Sequence, residues 1–100
     1  MLDPARIEGF AWDAGNSHKS ADKHDVSQAE SEQVFFREPL LILADGRHSQ
    51  REARYRALGR TDDNRLLHIT FTLRGDGRLI RVISARDMSR KERTDYARHT

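Results

Sequence analysis

The sequence predicts an α+β domain: an antiparallel sheet of four to five strands with two N-terminal helices and one C-terminal helix. Three observations predict it. Residues 66–74, LLHITFTLR, alternate strictly, with Leu67, Ile69, Phe71 and Leu73 on one side and His68, Thr70, Thr72 and Arg74 on the other, the pattern of a strand with one wet face. Ser27 with Glu30, and Ser89 with Glu92, form two capping boxes that open helices. Short apolar runs at 40–44 and 53–58 are bounded by Pro39, the turn-rich stretch ADGRHSQRE and Gly59. One hundred residues supply about one core, so residues 1–100 are read as a single domain.

In chain order, IEGFAW (7–12) is short and loosely alternating, a first strand, and Asp13 caps a helix through about Lys23. Only Ala14 and Ala21 are apolar in that helix, so it belongs on the surface. The capping box at Ser27 opens a second helix through about Phe36 that buries Val26, Ala29, Val34 and Phe35, and Pro39 prevents its continuation. LLILA (40–44) reads as a buried strand, ADGRHSQRE as a loop, and ARYRAL (53–58) as a strand ended by Gly59. After TDDN and the 66–74 strand, GDG turns the chain into RLIRVISA, and the capping box at Ser89 starts the last helix. The order β-α-α-β-β-β-β-α gathers the helices on one side of the sheet and leaves the other face open.

The absence of cysteine excludes disulfides and thiolate metal sites and suits a reducing cytoplasm. No apolar run approaches the roughly 20 residues of a spanning helix, so a cytoplasmic protein without a membrane partner is expected. Net charge is +2, unevenly spread: residues 1–50 carry five Lys/Arg against nine Asp/Glu, and residues 51–100 carry thirteen against seven. Fifteen of the eighteen basic residues are arginine, whose planar fork matches phosphate oxygens in pairs, so a polyanionic ligand is the first functional expectation. General solubility accounts for the same composition equally well.

Period two puts Arg54 and Arg56 on one side of their strand, and groups Arg81 with Leu79, Ile83 and Ala85. If the polar face of 66–74 meets them, Arg54, Arg56, His68, Thr70, Arg74 and Arg81 share one concave surface, phosphate-sized and cationic. A solvated sheet face paired with Glu52 and other acids is the plain alternative. Cleavage of RNA by internal transfer requires the ribose 2′-OH to be deprotonated, the leaving 5′-oxygen to be protonated and the charge on phosphorus to be stabilised, with no obligatory metal or cofactor. Arginines supply the charge; Lys23, His24, His48, His68 and Glu52 are candidates for proton transfer. No His/Asp/Glu set has zinc-like spacing, and no P-loop, glycine fingerprint or Ser-His-Asp order occurs. Trp12 is best explained by core packing, whereas Tyr96, the one large ring on a hydrophilic helix, suits stacking on RNA or docking a partner.

The chain resembles the BrnT toxins, the ribonuclease half of a bacterial type II toxin–antitoxin pair, with a RelE-like fold. The matching stretches are FAWD (10–13), KHDVS (23–27), VFFREP (34–39), His48 with Glu52, Arg54 and the following Gly59, FTLR (71–74), IRVISAR (80–86) and ERTDY (92–96), in family order over nearly the whole chain. The resemblance implies an endoribonuclease that inhibits translation when free. It also implies a cognate BrnA antitoxin with a ribbon-helix-helix part, the complex contacting operator DNA through that antitoxin. By position, the motif residues fall on Trp12, Asp13, Lys23, His24, Glu52, Arg54, Arg74, Arg81, Arg86 and Tyr96. The family usually has glycine after Lys-His, where this chain has Asp25, and lysine four residues after the tryptophan, where it has Asn16.

Together these readings give catalytic candidates Lys23, His24, Glu52, Arg54, Arg81 and Arg86, with the three arginines on phosphate and the other three in proton transfer. RNA-binding candidates are Arg56, His68, Arg74 and Tyr96. The competing expectation is a non-catalytic basic module that binds an antitoxin-like partner or nucleic acid.

Overall fold

The computed structural model of the chain describes residues 4–17, 21, 24–46 and 52–100. After a 3₁₀ turn at Pro4–Arg6, the elements are β1 (Gly9–Phe10), α1 (Gln28–Val34), β2 (Leu41–Ala44), β3 (Arg54–Arg60), β4 (Leu66–Arg74), β5 (Leu79–Asp87) and α2 (Arg90–His99). The five strands form one sheet in the order β1-β5-β4-β3-β2. The α+β class holds, with two corrections. The sheet is mixed, because β1 runs parallel to β5 through Gly9↔Leu79 and Phe10↔Ile80. Entering first, β1 has no hairpin to dictate its direction, and it joins the sheet on the outer edge of β5 through Glu8 N to Arg78 O (2.7 Å) and Ala11 N to Ile80 O (2.8 Å). The helix expected from Asp13 begins instead as turns over 14–17, because the Asp13 carboxylate folds onto Gly15 N (2.8 Å) and the Asn16 side chain onto Asp13 N (2.8 Å). Much of the remainder of that stretch lies outside the described residues. Ala21 and His24 are themselves helical; α1 and α2 are the helices whose bounds fall within the described residues.

Both capping boxes are present, at Ser27/Glu30 and Ser89/Glu92. α1 ends at Val34, sooner than the sequence suggests, with Phe35 as its C-cap. β3 runs through Gly59, which accepts no side chain: a Cβ there would stand 2.7 Å from Val34 Cγ1. The loop joining β4 and β5 takes positive φ at Gly75, Asp76 and Gly77, and Arg78 N closes it on Arg74 O (3.1 Å). β2 is an edge strand, not a buried one, with Leu43 38% exposed.

One face of the sheet carries the main core. Ala57, Leu67, Ile69, Phe71, Ile80, Val82 and Ala85 pack there with Val26 and Val34, joined by Phe35 and Trp12. Trp12 Nε1 donates to Glu32 Oε2 (2.7 Å), fixing the indole between β1 and α1. α2 covers part of the opposite face, where Tyr96 and Met88 pack on Leu58, Leu41 and Leu66. The helices therefore do not gather on one side. The polar-looking alternation of β3 and β4 has leucines at its upper end, and burying those leucines draws α2 across. No described helix is long and apolar enough to cross a membrane.

A candidate active site on the arginine face

The face that α2 leaves open is built by register. Arg54, Thr72 and Arg81 sit opposite one another across β3, β4 and β5; Arg56, Thr70 and Ser84 form the next row, and Leu58, His68 and Arg86 the third. Neighbouring strands lie about 4.8 Å apart, so the first row brings two guanidinium stems to within about 10 Å at the backbone. The sequence grouping of Arg81 with Ile83 and Ala85 is corrected here. Thr70 pairs with Ser84 but Phe71 pairs with Val82, so Ile83 is the extra residue of a β-bulge. Parity switches at that point: Ala85 turns into the core, fully buried, and Arg86 comes out on the same face as Arg81. In a regular strand, positions 81 and 86 would point to opposite sides.

Three of these arginines are held by carboxylates. Arg81 binds Asp13 through Nη1 (2.7 Å) and Nη2 (3.2 Å) and touches Asn16 Oδ1 (3.3 Å). Asn16, 5% exposed, also donates to Ala11 O (3.1 Å) and Val82 O (3.0 Å), tying the 11–17 loop to the β5 edge beyond β1. Asn16 thus orients Asp13 and Arg81 together, a role its sequence position did not announce. The hydrogen bonds of Arg81 hold the Asp13 carboxyl below its ordinary range. Arg74 pairs with Glu52 at 2.6 Å at the lower end of the face. Arg86 grips Glu92 with both Nη atoms (2.8 and 2.9 Å), and Glu92 also accepts from Ser89 N (2.8 Å) as the capping-box acid. Arg56 makes no ion pair among the described residues, and its Nε is buried without a partner.

His68 lies under the start of α2, 6% exposed, with Nε2 3.7 Å from Glu92 Oε2 and Nδ1 unpartnered. Burial lowers its pKa, the charges of Arg86 and Arg56 lower it further, and Glu92 opposes them, leaving a neutral imidazole at neutral pH. Burial works to raise the Glu92 carboxyl, but the hydrogen bonds of Arg86 and Ser89 and the nearby charges outweigh it and hold the group at about 2.

The remaining candidates are dispersed. His24 sits near the end of β5: Arg65 donates to His24 O (3.4 Å) and Asp25 O (2.7 Å) while pairing with Asp87 (2.8 Å) and Glu30 (3.1 Å). Asp87 belongs to the core side, opposite Leu67, so these contacts bring His24 to the rim of the sheet and not onto the arginine rows. Lys23, with His18 and His48, lies outside the described residues. Asp25 has φ +55°, the left-handed region that glycine enters freely and aspartate tolerates, which explains why glycine suits that place. Tyr96 is corrected: its ring is 6% exposed and its hydroxyl donates to Pro39 O (2.5 Å), so it fastens α2 to the sheet and offers no face to a base. Among the described residues, no three His, Asp or Glu side chains group as a metal site.

Residues 12–92 match the family described as the ribonuclease toxin, BrnT, of type II toxin–antitoxin systems. The chain belongs to this family. No individual curated protein matches the chain. A BrnT toxin is a ribonuclease, so its substrate is RNA, and its type II class implies a protein antitoxin as partner. The match takes in Asp13 and all three arginine rows and stops before Tyr96.

Proposed function

We propose that this BrnT chain is an endoribonuclease that cleaves RNA on the arginine face by metal-independent attack of the ribose 2′-OH. The observation that carries the reading is the bulge at Ile83, which adds Arg86 to the side of the sheet already holding Arg54, Arg56 and Arg81. Arg54 and Arg81, facing each other across Thr72, grip the scissile phosphate, and Arg86 adds positive charge two rows on. Their charge stabilises the crowded phosphorane, a step that preoriented donors in a partly dry site perform well. Asp13 and Asn16 keep Arg81 extended, so little reorganisation is needed when charge develops. Taking the 2′-OH proton and returning one to the 5′-oxygen fall to Glu52, ion-paired to Arg74, and, on the family resemblance alone, to Lys23 and His24, the latter standing at the sheet rim. His68 and Arg56 contact the neighbouring nucleotide. The fold is read as RelE-like, and the antitoxin as a BrnA-type protein whose ribbon-helix-helix part takes the complex to operator DNA.

Purified protein incubated with RNA in EDTA should release fragments bearing 2′,3′-cyclic phosphate and 5′-hydroxyl ends. Arg81→Ala should slow this at least about tenfold, equivalent to about 1.4 kcal/mol of transition-state stabilisation. Cleavage abolished by the chelator sinks the metal-free route, and wild-type rates from Arg81→Ala sink the assignment to this face. Salt-sensitive binding of RNA that stays intact would favour a non-catalytic module.

A further inference from the structure

Beside the arginine rows, β2, β3, β4 and α2 enclose a cavity of about 280 Å³. Leu41, Leu43 and Leu58 supply apolar walls, and Arg56, His68, Lys91, Glu92, Asp95 and His99 supply the polar groups. Two buried polar atoms of this lining have no partner. They are Arg56 Nε and His68 Nδ1; the half-buried Asp95 carboxylate accepts no hydrogen bond among the described residues, and only the Asp95 backbone carbonyl is engaged, with His99 Nδ1 (2.8 Å). An unmet buried donor inside a pocket points to an acceptor brought by a ligand.

The chemistry of the walls narrows that ligand. A phosphate would meet Arg56 and Lys91 but also three leucines and the carboxylates of Glu92 and Asp95, so the cavity fits an apolar group with polar edges better than the bare anion that the neighbouring arginines suit. Flat, largely apolar faces with polar edges fit the leucine walls. The edges must carry acceptors for a guanidinium and N–H donors for a carboxylate. Guanine offers both: O6 and N7 form the acceptor pair that arginine matches, and the opposite edge carries N1–H and N2–H₂. Adenine presents N7 beside an amino donor, which Arg56 would repel. Arg56 is two residues along β3 from Arg54, about 7 Å on the same face, the separation between a phosphate and a base of the adjoining nucleotide.

We infer that this cavity is a guanine-recognition pocket, Arg56 donating to O6 and N7 and Asp95 accepting from N1–H and N2–H₂, which fixes where the chain cuts. The inference rests on the reading that RNA is held on the arginine face, and its test has a binding arm that needs no catalysis. Guanosine, adenosine, cytidine and uridine 3′-monophosphates are titrated into the full chain by calorimetry, with the Arg56 Nε–H resonance followed by NMR. The guanosine nucleotide should bind at least about tenfold more tightly than the adenosine one and shift that resonance, and Asp95→Asn should reduce the ratio below about threefold. In parallel, oligonucleotides with a single guanosine should be cut beside it, with the site preference lost in Asp95→Asn. Equal affinity for the four nucleotides, or an unchanged ratio in Asp95→Asn, overturns the pocket even if RNA is cleaved. Guanine preference in binding without any cleavage keeps the pocket and overturns the ribonuclease assignment of the face.

Discussion

Replacing Glu92 with glutamine tests the joint that seats α2 on the arginine face. Glu92 receives both Nη atoms of Arg86 (2.8 and 2.9 Å) and Ser89 N (2.8 Å), and stands 3.7 Å from His68 Nε2. Its carboxyl falls from 4.5 to about 2 on folding. At about 1.36 kcal/mol per pKa unit that displacement has a ceiling near 3 kcal/mol. The Glu92 side chain is 17% exposed but its partner Arg86 is 37% exposed, so solvent screens the pair. About 1–2 kcal/mol is therefore expected at neutral pH. Because the folded value lies below the unfolded one, this stabilisation is complete above about pH 5 and disappears as pH falls toward 2. Glutamine can still close the capping box, which isolates the charge from the cap. Urea unfolding followed by circular dichroism, on wild type and Glu92→Gln, should give a gap of about 1–2 kcal/mol near pH 7 that narrows to about half or less near pH 3 and closes toward pH 2. A neutral-pH gap under about 0.5 kcal/mol, or one that persists undiminished in acid, refutes the account.

Two further outcomes follow from packing. Gly59→Ala places a Cβ 2.7 Å from Val34 Cγ1 and 3.4 Å from Leu40 Cδ1, and thermal unfolding should report a loss of about 1–3 kcal/mol as α1 is pushed off β3; no loss would mean that this close approach is not maintained. Tyr96→Phe removes the hydroxyl that donates to Pro39 O and should cost about 0.5–1.5 kcal/mol of stability while RNA cleavage stays at the wild-type rate; a cleavage defect in a stably folded variant would return the ring to the RNA surface.

The local signals were legible in the chain. The alternation in LLHITFTLR separated the core side of β4 from the other, although His68 and Thr72 on that other side are buried and not wet, both Ser-x-x-Glu boxes opened the helices they predicted, and the arginines at 54, 56 and 81 share the face their spacing implied. The ordered motifs from FAWD to ERTDY pointed to the family that residues 12–92 match. These features depend on neighbours a few residues apart, so the sequence contains them in full.

The remainder depended on partners distant in the chain. Ile83 looks like any apolar strand residue, and only the two registers of β4 against β5 make it a bulge that turns Arg86 toward Arg81. Asn16, apparently a surface residue of a weak helix, is buried because Val82 O, 66 positions on, would otherwise go unmet beyond the end of β1. Tyr96 lay on a helix with no clear apolar side, and its burial was decided by Leu58 and Met88 waiting on the opposite face. Sequence alone determined most of the strands, the two capped helices and the type of charge they display; the sheet's pairing decided which charges meet, because a one-residue shift in register reverses every side chain beyond it.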